Sequence, residues 1–89
     1  MTSDSLETAA QALSEASDEA SGEAATRLES QADQFASLAT DPSGLDHGKL
    51  ARHEHILTSI ADAEGGAVAD HVEEALASIK SYRSTLEGV

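Results

Sequence analysis

Between residues 3 and 40 the apolar positions Leu6, Ala10, Leu13, Ala20, Ala24, Leu28, Phe35 and Leu38 recur at steps of three, four or sums of these. At 100° per residue they share one stripe of a helix, and Asp4, Glu7, Glu15, Asp18, Glu19, Glu23, Glu29 and Asp33 all fall outside it. Gly22 is the one candidate break. It projects to the polar face and the stripe keeps its phase on either side, so the pattern predicts a single helix over 3–40, at most bent at Gly22. Such a helix would be roughly 54 Å long at 1.5 Å per residue. Its middle is thin, because the inward positions between Leu13 and Leu28 are Ser17, Ala20 and Ala24.

Residues 41–45 read as a loop: Pro42 disfavours helical geometry at the residue before it, and Gly44 permits a reversal. Asp46 is a good N-cap for a second helix over 46–63, with Leu45 placed to pack back on Leu50. The inward stripe of that helix is Leu50, His53, Ile56, Leu57 and Ile60. Gly65 and Gly66 make a turn at 64–66. A third helix over 67–87 then carries Val68, Val72, Ala75, Leu76, Ile79, Tyr82 and Leu86 on one face. So short a connection makes the second and third helices an antiparallel pair.

The expected fold is therefore an all-α antiparallel bundle of three helices, one long N-terminal helix and a C-terminal hairpin, in a single domain over 1–89. The lengths do not match, since the hairpin spans only about 25 to 32 Å. Leu6 and Leu13 would overhang it. A homodimer would cover them, with Leu6, Leu13, Ala20 and Ala24 as the interface and the alanines near the crossing, where small side chains let backbones approach. The alternative is a four-helix monomer, formed if the first helix breaks at Gly22 and folds back.

Composition changes this picture in one respect. Leu, Ile, Val and Phe are only 16 of 89 residues and the net charge is −12, a combination that favours disorder unless something else drives folding. Here 17 alanines and the regular apolar spacing supply that drive. The core should be thin. Seventeen Asp/Glu against five Lys/Arg is the surface of a salt-adapted protein, soluble where a Debye length of about 3 Å at molar salt screens the self-repulsion. Mimicry of nucleic acid is the rival account, but the acids cover whole outer faces instead of tracing a backbone. The absence of cysteine fits a reducing compartment. With an acidic, unbroken MTSDSLET start and no long apolar run, a cytoplasmic location with no membrane attachment is expected.

Candidate chemistry gathers in Leu45 to Leu57, LDHGKLARHEHIL, which holds three of the four histidines and two of the five cations. Metal binding needs ligands that converge. His47, His53 and His55 point in different directions on one helix, and His53 and His71 should lie about 10 Å apart along the hairpin. No metal ligand and no cofactor is expected. His47, Lys49, Arg52 and His55 form a candidate interaction patch, suited to an unidentified acidic protein partner. Nucleic acid is the poorer fit, because the surrounding surface repels a polyanion and counterion release fades in molar salt. A nucleic-acid-associated or metal-binding role for 47–55 is the alternative to a non-enzymatic interaction or structural module. No nucleophile elbow, phosphate loop or isolated carboxylate pair is present, so neither an enzyme nor a small-molecule substrate is expected.

LDHGKLARHEHIL followed by a helix ending SYRSTLEGV resembles a family of small, acidic, helical proteins of halophilic archaea. The resemblance covers 45–89 best and the Ala/Glu-rich first helix loosely. It implies a helical fold and a salt-adapted cell, and no activity, cofactor or binding residue.

Overall fold

The computed structural model describes residues 4–86, which form four α-helices: α1 Asp4–Glu19, α2 Gly22–Thr40, α3 His47–Glu64 and α4 Gly66–Arg83. Ser3 and Glu87, the expected outer limits of the first and last helices, lie outside the described residues. The three-helix expectation is corrected at Gly22. The chain leaves α1 at Ala20, passes through Ser21 in an extended conformation (φ −143°, ψ 166°), and re-enters helix at Gly22 with φ +60°. That φ belongs to the left-handed region that glycine reaches without a steric penalty. The first half folds back on the second, and the Ser17 hydroxyl ties the turn by donating to the Ala25 carbonyl at 3.2 Å.

The energetic reason lies in the two leucines that would have overhung the hairpin. Leu6 and Leu13 are fully buried, together with Ala9, Ala12 and Ala16 beside them. Burying each leucine stabilises by about 1.5–3 kcal/mol relative to exposure. The turn interrupts a few helical hydrogen bonds whose groups water can satisfy. Phase could not reveal this, because both arms of a hairpin must present a stripe to each other and nothing requires the stripe to shift at the turn. Leu6 and Leu13 therefore cannot serve as a free dimer surface, and the length mismatch that called for a second copy disappears. Ala20 and Ala24 are half-buried beside the turn.

The remaining boundaries follow the pattern closely. Asp46 caps α3 by accepting from the Lys49 backbone N–H at 2.8 Å, and Leu45 is partly buried against the core. Gly65 alone separates α3 from α4, at φ 62°. The last helix ends at Arg83, and 84–86 continue as turns instead of helix.

Packing makes α1 the central element. It lies along both α2 and α4, α3 lies along α4, and α2 meets α3 least. Three edges of the bundle are closed by apolar side chains. Its heart is Phe35, Leu6, Leu13, Leu28, Leu50, Leu57, Val72 and Ile79, all fully buried. The α2–α3 edge is the poorly closed one.

Candidate functional site

The open edge is bridged by a polar contact where the other edges use leucines. His53, on the inner side of α3, reaches α2, where its Nδ1 lies 2.7 Å from Oε1 of Gln31. An amide oxygen only accepts, so the ring proton sits on Nδ1. The same ring meets Phe35 edge-on, with centroids 4.9 Å apart and planes at 64°. Gln31 is the one buried polar side chain among the described residues, and His53 is its partner. Burial, and secondarily the positive charge of Arg52, hold the His53 pKa below the ordinary imidazole value. His53 thus sits on the inward stripe, as its spacing predicts, half-buried and hydrogen-bonded across to α2.

Beside this bridge the edge opens into a cleft of about 390 Å³. Leu38 and Leu45 give it an apolar floor, Asp33 and Gln34 line it from α2, and Lys49 and His53 line it from α3. The 41–45 loop closes one end. Asp41 accepts from the Ser43 backbone N–H at 3.2 Å, and the hydrogen bonds from Ser43 hold its carboxyl below the usual carboxylate range. Gly44, at φ +78°, takes the left-handed conformation in which the loop reverses toward α3.

The four patch residues are divided by this arrangement. Lys49 lines the cleft. His47 is engaged on the other side, where its Nδ1 accepts from Nε of Arg83 at 3.0 Å. Arg83 also donates from Nη1 to Oε1 of Glu54 at 2.6 Å, which makes it a clamp from the end of α4 onto two sites of α3. Arg52 and His55 are exposed on α3. A small basic face remains, built from Lys49 and Arg52, with His47 removed from it.

A family model described as Family of unknown function (DUF7553) matches residues 1–85. The chain belongs to DUF7553. No curated protein and no solved structure matches it. The family match takes in α1 and α2 as well as residues 45–85 of the segment on which the resemblance to small acidic helical proteins rested most.

Folding of this DUF7553 chain also brings together a set of side chains that the sequence pattern did not join. Glu15 of α1 meets His71 and Glu74 of α4, with one carboxylate oxygen from each glutamate and one ring nitrogen of His71 all within 4.8 Å of one another. The local half of the signal was legible, since His71 and Glu74 stand at i and i+3 on one helix and so share a face. The partner from α1 comes within reach only because the chain reverses at Gly22 and lays α1 along α4. Among the described residues no helix is long and apolar enough to cross a membrane.

Proposed function

We propose that this member of DUF7553 is a non-enzymatic protein-interaction module of a salt-adapted cytoplasm, and that it takes an acidic segment with apolar anchors from a partner protein into the α2–α3 cleft. The observation that carries this reading is the cleft itself, an apolar hollow at the least closed edge of the bundle with a cation at its rim. A volume of about 390 Å³ accommodates a few side chains of a docked segment and lies within the ordinary range for binding sites. Charge supports the choice of partner. Lys49 has no ion pair among the described residues, and Arg52 beside it is exposed, on a chain whose net charge is −12. An acidic segment is therefore repelled over most of the surface and attracted here, which gives orientation as well as affinity. Asp33 on the opposite wall fixes polarity, because a donor on the partner is favoured on the α2 side and a carboxylate on the α3 side.

The test is capture of partners from lysate in high salt with the wild-type chain, Leu38→Arg and Lys49→Glu in parallel. A protein retained by the wild type and lost by both variants, whose addition shifts the amide resonances of 33–38 and 43–53, supports the reading. Identical retention by all three chains, or retention of DNA at the same salt, overturns it.

A further inference from the structure

On the edge opposite the cleft, the Glu15, His71 and Glu74 cluster joins α1 to α4, and two observations give it chemical content. Two carboxylates from different helices are held close together, and among the described residues neither has an ion pair. Beside them Nδ1 of the half-buried His71 is itself buried and makes no hydrogen bond to the protein. Each arrangement is unfavourable alone: like charges oppose the α1–α4 contact, and a buried ring nitrogen without a partner has lost its water and gained nothing in return. A cation ligated by one oxygen of each carboxylate and a ring nitrogen of His71 relieves the repulsion between the carboxylates.

We propose that Glu15, His71 and Glu74 form a binding site for a divalent transition-metal ion of the zinc class, which clips α1 to α4. The donor set selects the ion. One imidazole nitrogen and two carboxylate oxygens suit zinc, cobalt or nickel, whereas calcium and magnesium prefer all-oxygen shells with more ligands. Metal–ligand distances of about 2.0–2.2 Å require donor atoms roughly 3–3.5 Å apart, so donors at the 4.8 Å limit of the spacing seen here must draw together by roughly 1.3–1.8 Å. Glu15 and Glu74 are exposed and free to make that adjustment by rotation about their own side-chain bonds. The helical i, i+3 pair supplies two ligands from one rigid element and α1 supplies the third. Three protein ligands leave a fourth tetrahedral position for water or for an acceptor from another molecule. The ion needs the unprotonated ring, so binding weakens in acid.

Zinc and cobalt titrations of the full chain in 2 M KCl with excess magnesium test the site. The wild type is expected to bind one ion per chain, to show cobalt absorption in the visible region, and to broaden the His71 ring resonances ahead of those of the other histidines. Glu15→Gln and His71→Gln are each expected to lower the zinc affinity by on the order of tenfold or more, while His55→Gln leaves it unchanged. Glu74→Gln, like Glu15→Gln, replaces an exposed side chain, so the fold survives and loss of binding reads on ligation alone. Zinc affinity unchanged in Glu15→Gln and Glu74→Gln, broadening centred on another histidine, or no saturable binding in the presence of magnesium would each overturn the proposal.

Discussion

His53 connects the protonation state of one ring to closure of the weakest edge of the bundle. Its Nδ1–H donates to Gln31, its ring packs edge-on with Phe35, and burial disfavours its charged form. A folded-state pKa below the unfolded value of about 6.5 means that the folded chain binds fewer protons in the interval between them. The stabilisation is fully present above pH 6.5 and is lost as the pH falls through the lowered folded value. The melting temperature should therefore decline from pH 7.5 to pH 5 more steeply in the wild type than in His53→Gln, in which this group does not titrate. Equal slopes in the two chains would show that His53 charges as readily folded as unfolded. Gln31→Leu tests the other half of the contact, because it leaves the Nδ1–H without an acceptor. A loss on the order of 1–2 kcal/mol in denaturant unfolding at pH 7.5 is expected.

At the scale of elements the decisive feature is the break between α1 and α2, and Gly22 distinguishes the two architectures by sign. In a continuous helix, Gly22→Ala would stabilise by about 1 kcal/mol, because alanine is the better helix former. At φ +60° the same change forces a Cβ into the left-handed region and should destabilise by roughly 1–2 kcal/mol, although nothing lies within 4 Å of the added atom. That corresponds to a fall of about 4–8 °C in melting temperature for each kcal/mol in a domain of this size. Leu13→Ala reports on the same fold from the core. A fully buried leucine lost from the contact between α1 and its neighbours should destabilise by about 2–5 kcal/mol at any protein concentration. Had Leu13 faced a second copy, the loss would instead shrink as concentration rises.

For the whole molecule, a charge of −12 surrounds a core in which eight of the 18 buried apolar residues are alanine, so folding stands between strong self-repulsion and a modest apolar gain. Screening should decide the balance. Melting temperature is expected to rise steadily from dilute buffer to about 2 M KCl as the Debye length contracts to a few ångströms. A transition that does not move across that range would mean the repulsion is already relieved within the fold. Because α1 folds back and buries its own leucines, light scattering at tens of micromolar protein in 2 M KCl should give a mass near 9.2 kDa. A dimer mass would require an interface other than Leu6 and Leu13.

The apolar period, the Asp46 cap, Pro42 with Gly44, and the paired glycines at 65 and 66 were sufficient to place the loop before α3, the α3–α4 hairpin and nearly all of its core face. These are local preferences, settled within a turn or two of chain and therefore written in the residues themselves. The break at Gly22 was not decided locally: helix continuation and reversal are both open to that stretch, and burial of Leu6 and Leu13 by distant helices tips the balance. Everything that depends on the reversal was hidden with it. The meeting of Glu15 with His71 and Glu74 and the cleft left at the α2–α3 edge both arise from how four short helices share one thin core, which is fixed only when the chain has closed on itself.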